Sequence, residues 1–358
     1  ERLYFLYGTR HFPYNWLSFL LIVAAMTPVI VTIATTGVYF QNKPPYPPFW
    51  PYLRTSWKFP SVVTVVFAVV FNFYRQTKER LEKRNTELQS AVELGRIERE
   101  LQDQELQRAR EIQRALMPEV IPQIPGFEVA GAWEPARVVG GDYFDVIRLG
   151  PRKLGICIAD VVGKSVSAAL LMANVQATVR AFASEAASPA EVCSRVNAVL
   201  ANNIAPGKFV TLFYGVLDGD RSSLEYCDAG HPPPVLVRAH GPAQALDAKG
   251  AVLGVFPDWQ YENSNVRLTP GDALLLFTDG ITEAASSDDE EFGEERLLSA
   301  VEARDGLSAS ELQLRVLSDV KAFCNSQFRD DVTLIVISAL KVESKLEQAN
   351  VAAVCGRA

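Results

Sequence analysis

Positions 17 to 40 carry no charged side chain, and a helix of that length spans the roughly 30 Å hydrocarbon core of a bilayer. Pro28 and Gly37 fall inside the run, where spanning helices tolerate them. A removable leader would have a shorter apolar core and a small-residue cleavage site, which this run lacks. A second apolar run, 57–74, contains Val62, Val63, Val65, Val66, Phe67, Val69, Val70 and Phe71. It predicts a second span, with a buried core helix as the other reading at that length. Between the two, 44–51 interleaves five prolines with Tyr46, Phe49 and Trp50. That segment is expected to be non-helical and to lie at the headgroup interface. Arg75, Lys78, Arg80, Lys83 and Arg84 follow the second run, and such a basic excess marks the cytoplasmic side. Residues 1–76 are therefore expected to be an anchor in the inner (cytoplasmic) membrane, with everything after it cytoplasmic. Position 1 is glutamate, so the chain is expected to continue upstream.

Residues 77–117 are rich in Glu, Arg, Gln and Leu and contain no proline. Leu81 and Leu88 lie a heptad apart, Leu94, Ile97 and Leu101 continue at three-four spacing, and so do Ala109, Ile112 and Leu116. The register breaks near Gly95 and near Leu106. So narrow an apolar seam on a charged helix predicts an imperfect two-stranded coiled coil and hence a homodimer; a solvated single-helix linker is the other reading. Pro118, Pro122 and Pro125 end the helix.

From Gly126 the pattern turns globular, giving a domain over 118–340 and a tail over 341–358. Strand-like runs fall at 127–133, 143–149, 154–159, 209–217, 273–277 and 332–337, and helix-like runs at 165–184, 189–203, 294–303 and 308–323. The strands come in groups instead of alternating with helices, which predicts an antiparallel α+β fold.

Composition narrows the chemistry. A net charge of -7 argues against a nucleic-acid partner. Cys157, Cys193, Cys227, Cys324 and Cys355 are scattered without a CxxC pair, which speaks for reduced thiols and against a zinc or disulfide scaffold.

Four carboxylate motifs stand at strand ends: Gly140-Gly141-Asp142-Tyr143-Phe144-Asp145, Ala159-Asp160-Val161-Val162-Gly163-Lys164, Phe277-Thr278-Asp279-Gly280 and Arg329-Asp330-Asp331-Val332-Thr333-Leu334. Any one aspartate at such a place is ordinarily a cap or turn residue. Together they suggest something else, because carboxylates that converge repel one another unless cations neutralise them. Oxygen ligands without Cys or His suit Mg2+ or Mn2+, and a pair of such ions can activate water against a phosphoryl group.

These strings, with Ala168-Ala169-Leu170-Leu171-Met172, Ala229-Gly230-His231-Pro232-Pro233, Thr278-Asp279-Gly280-Ile281-Thr282-Glu283-Ala284 and Glu291-Phe292-Gly293-Glu294-Glu295-Arg296-Leu297, resemble in order and spacing the SpoIIE/RsbU branch of the PPM protein phosphatases. The helix ending Arg110-Glu111-Ile112-Gln113-Arg114-Ala115-Leu116-Met117-Pro118 resembles the segment leading into that domain. The resemblance implies an α-β-β-α sandwich, two Mn2+ or Mg2+ ions, and phosphoserine or phosphothreonine protein substrates, with a STAS-type anti-sigma-factor antagonist as the expected partner. It implies that Asp160 bridges both ions with help from the Val161 carbonyl. Asp279 and Asp330 then hold the other side, and Asp142 is an outer ligand reached through water. Arg137 resembles the phosphate-binding arginine of the superfamily, a surface arginine being the other reading. Asp145 and Asp331 are expected to be structural or to stand behind the ligands.

Two features depart from the pattern. Gly163-Lys164-Ser165 replaces the usual Gly-Lys-Gly, and no histidine follows Asp160. His231, in a proline-rich turn, is expected to be structural, and the run 288–291 to be a solvated loop. The competing readings are a catalytically inactive phosphatase-like membrane scaffold, opposed by the presence of every expected aspartate, and a diguanylate cyclase, prompted only by Gly140-Gly141-Asp142.

Overall fold

The structure, a computed structural model, describes residues 14–41, 48–56, 58–239, 241–247, 249–302 and 306–340. Contacts divide the chain into two units, Glu1–Glu100 and Leu101–Ala358.

In the first unit, α1 runs over Tyr14–Gln41 and α2 over Phe49–Ser56, and α3 (Lys58–Leu116) begins. Leu21–Gln41 is long and apolar enough to cross a membrane. Three of its threonines need no water: Thr27, Thr32 and Thr35 donate to carbonyls one turn back at 2.7, 2.6 and 2.7 Å, as a hydrocarbon environment would require. Among the described residues Val166–Ala183 meets the same length and hydropathy test. That helix, however, buries Ala168, Met172, Val175 and Val179 and belongs to a core. The second apolar run of the sequence opens α3, apart from Trp57, which lies outside the described residues, as do 42–47. One expectation needs correcting: Pro51 sits inside α2. A proline in the first helical turn gives up an N–H that has no intrahelical partner anyway, so it does not forbid the helix there.

The second unit holds two five-stranded antiparallel sheets. One has the order β1-β10-β9-β6-β7, and the other β2-β3-β4-β5-β8. The strands are β1 Phe127–Glu134, β2 Tyr143–Gly150, β3 Lys153–Val161, β4 Val210–Asp218, β5 Ser223–Ala229, β6 Val235–Val237, β7 Ala243–Ala245, β8 Ser264–Arg267, β9 Ala273–Phe277 and β10 Val332–Ala339. Helices α4 (Val166–Ala183) and α5 (Pro189–Ala201) cover the second sheet, α7 (Gly293–Glu302) and α8 (Ala309–Phe323) the first, and a single turn, α6 (Asp279–Thr282), follows β9. The layers are α-β-β-α, as the resemblance implies.

Alternation builds this sandwich. Leu274, Leu276, Ile335 and Ile337 face the opposing sheet. Their neighbours Leu275, Phe277, Leu334 and Val336 face α7 and α8. With both faces covered, β10 buries all eight residues, so it reads in sequence as one continuous apolar run. The outer helices start where their caps dictate. Ser188 accepts from the Glu191 amide with Pro189 at the first position, and Ser308 and Glu311 form a reciprocal capping box.

Candidate metal centre

Strand pairing decides what meets here. Asp160 is the penultimate residue of β3, Asp279 follows β9, Asp330 and Asp331 precede β10, and Asp142 precedes β2. β9 and β10 are neighbours in one sheet, β2 and β3 in the other, so the carboxylates gather where corresponding ends of the two sheets face each other. Two glycines permit the approach. A Cβ on Gly140 would stand 2.0 Å from Asp331 Oδ2, and one on Gly141 2.5 Å from the Val161 carbonyl oxygen.

The electrostatics record the crowding. Asp142, 1% exposed, is held well above the usual carboxylate range by burial and by Asp160 and Asp331, against donation from Thr333 and Thr278. Asp160 is pushed up to about 7 by burial and then by Asp279 and Asp330. Asp279 is raised by burial and by Asp330. A cationic group already stands in the cluster: Lys164 Nζ lies 2.7 Å from Asp330 Oδ2 and also donates to the Arg329 carbonyl. Among the described residues no three acidic, histidine or cysteine side chains close on one point as a finished ligand set. The donor set nonetheless fits hard divalent cations: it is all oxygen, carries excess negative charge, and is partly neutralised by an ammonium group at the place a cation would take.

Arg137 is exposed, and its Nη1 donates to the Lys164 carbonyl at 3.2 Å, beside the turn that follows Asp160. The supporting residues resolve cleanly. Asp331 accepts from the Ala136 amide at 2.8 Å and the Gly141 amide at 2.6 Å. Asp145 is fully buried and away from the cluster's chemistry, paired with Arg180 at 2.7 Å and Tyr143 at 2.9 Å. His231 is buried with Nδ1 3.0 Å from Thr211 Oγ1, and burial lowers its pKa to about 3, so it is a neutral packing group. Residues 288–291 are a solvated loop countered by arginines, Asp289 by Arg329 and Glu290 by Arg296.

Sequence reasoning missed two hydroxyls. Thr278 and Thr333 both donate to Asp142 Oδ2, at 2.8 and 2.5 Å, and the Thr333 amide donates to Thr278 Oγ1 at 3.0 Å. The available signal was a threonine within two residues of an aspartate at an apolar strand end.

Residues 150–340, more than half the chain, match the family model described as Stage II sporulation protein E (SpoIIE). The chain belongs to the SpoIIE family. It is 29% identical over 235 residues to the phosphoserine phosphatase RsbU of Bacillus subtilis, covering 65% of this chain and 69% of that protein. It is 30% identical over 261 residues to protein IcfG of a Synechocystis species, covering 65% of this chain and 41% of IcfG; it thus spans well under half of that relative. Among solved structures, the SiaA-PP2C domain of Pseudomonas aeruginosa superposes with a TM-score of 0.58 at 20% identity, over 67% of this chain and 97% of that one. That likeness shows the PP2C fold.

Proposed function

We propose that this SpoIIE-family chain is a membrane-anchored, metal-dependent phosphoserine/phosphothreonine protein phosphatase of bacterial signalling, acting on a STAS-type anti-sigma-factor antagonist. The observation that carries the reading is the convergence of Asp142, Asp160, Asp279 and Asp330 from four separate strand ends, in a chain whose relative RsbU is named a phosphoserine phosphatase. Asp160 with the Val161 carbonyl, Asp279 with Asp330, and Asp142 on the outer side are the groups that would hold two ions. Two Mn2+ or Mg2+ ions there would neutralise the carboxylates, acidify a water and polarise the phosphoryl oxygens.

The chain's own residues do the rest. Thr278 and Thr333 fix the rotamer of Asp142. Lys164 balances Asp330 until a cation takes that place. Lys164 and Arg137 then give the rim two positive groups for a phosphate dianion. His231, neutral and enclosed, takes no part in moving protons.

The anchor rests on α1, and the dimer on the exposed Leu81, Leu88, Leu94 and Leu101 of α3, which a partner helix would cover. Reporter fusions within 44–51 and after Arg84 should read opposite sides of the membrane; same-side readings remove the two-span anchor. A full chain that stays monomeric at micromolar concentration would remove the coiled coil. For the activity itself, the full chain in detergent should hydrolyse a phosphoserine protein with Mn2+ and stop in EDTA. Turnover that survives EDTA would sink the assignment.

A further inference from the structure

Along residues 101–116 of α3, one side chain alone is buried, and it is polar. Gln113 is 3% exposed, while its apolar neighbour Ile112 is 67% exposed. Its carboxamide engages both backbone groups of Gly140: Nε2 donates to the Gly140 carbonyl at 2.7 Å, and the Gly140 amide donates to Oε1 at 3.1 Å. A glutamine side chain here does what a neighbouring strand would do. It pairs the N–H and C=O of a residue that belongs to no strand and is itself buried.

Gly140 leads through Gly141 into Asp142. The pair is tied at two more points, by the Gly141 amide on Asp331 Oδ2 and by the close approach of Gly141 to the Val161 carbonyl. Glycines supply no side chain to hold themselves in place and have wide backbone freedom. Their position is set by these outside contacts, and only the one from Gln113 comes from outside the two sheets and their turns. We infer that Gln113 is a positioning residue, through which the last turn of α3 sets where Asp142 stands and hence how tightly the outer ion is held.

The inference rests on the reading of Asp142 as an ion ligand, so its test must separate the two. The full chain in detergent is titrated with Mn2+ alone by calorimetry, and Mn2+ activation of phosphoprotein hydrolysis is measured in parallel. Gln113→Leu keeps size and burial but loses both hydrogen bonds. It should weaken Mn2+ binding at the outer site by about 10–100-fold and raise the Mn2+ needed for half-maximal rate equally. KM for the phosphoprotein should stay put, and saturating Mn2+ should restore kcat. Gln113→Glu keeps the acceptor for the Gly140 amide and should shift binding less. Met117→Ala, just past the end of α3 and 7% exposed, should lower the melting temperature and leave Mn2+ binding unchanged.

If both Gln113 variants bind Mn2+ like the parent, or no more weakly than Met117→Ala, the positioning role is wrong. If the parent chain itself binds no Mn2+, the metal reading falls instead. Should Gln113→Leu fail to fold, the Gln113→Glu titration decides: parent-like binding there overturns the inference.

Discussion

Residues 288–291 place four carboxylates in four consecutive positions, whereas Asp142, Asp160, Asp279 and Asp330 are scattered from position 142 to position 330. The consecutive run lies in solvent, with arginines against Asp289 and Glu290. The scattered set is brought together by strand pairing, with Asp142 fully enclosed and Lys164 bonded to Asp330. Charge gathered by sequence is thus dispersed by water and counterions. Charge gathered by topology is withdrawn from water, and Asp142, Asp160 and Asp279 are driven toward protonation unless cations arrive. The difference identifies a site that local charge density would have misplaced.

Substitution should expose the contrast most strongly. Asp160→Asn or Asp279→Asn is expected to cut Mn2+-dependent turnover by about a thousandfold, a loss on the scale of removing one charge-stabilising group from an active site, with the folded state retained. Parent-like rates in both variants would erase the distinction between the regions.

A smaller effect should appear in stability. Asp160 is raised to about 7, from about 4 in an unfolded chain. Between those values the metal-free folded state keeps a proton that the unfolded state has released. The contribution of Asp160 to stability is therefore fully present below about pH 4 and lost as pH rises through about 7. The melting temperature in EDTA should fall over that window, Asp160→Asn should flatten the slope, and Mn2+ should raise the melting temperature more at pH 7 than at pH 5. A pH-independent EDTA curve would show that the crowding is relieved some other way. The smallest effect belongs to the solvated run. Asp289→Asn with Glu290→Gln should change stability by no more than about 0.5 kcal/mol and leave turnover as it was; a large loss of turnover would give the run a role the comparison denies it.

Much of this was legible beforehand, and the exceptions have physical causes. The strand-like runs match β1–β4, β9 and β10, and the helix-like runs α4, α5, α7 and α8, to within two residues, because buried strands and capped amphipathic helices write their period into the sequence. The strands β6, β7 and β8 are three or four residues long, too short for a period of two to register. β5 passed unread because Glu225 and Asp228 interrupt its apolar positions. The aspartates were visible as motifs. Thr278 and Thr333 stood inside those motifs, yet their shared target depends on β9 pairing with β10, with Phe277 opposite Leu334. Gln113 was hidden for another reason. The apolar register over Ala109, Ile112 and Leu116 drew the eye to one helix face, while the face that meets the domain buries a carboxamide and Met117.

The register of β1 against β10 carries a consequence for the chain as it is made. Phe127 pairs with Ala339 and Glu134 with Val332, so the pairing at one edge of the sheet joins segments about two hundred residues apart. Pairings this remote raise contact order and slow folding, and synthesis is vectorial. Until Ala339 has left the ribosome, β1 and β9 lack the strand that lies between them, and their apolar faces and unpaired edges stay open to other chains. Asp330 arrives with that same strand. A nascent chain can therefore complete neither its sandwich nor its carboxylate cluster before β10 is made.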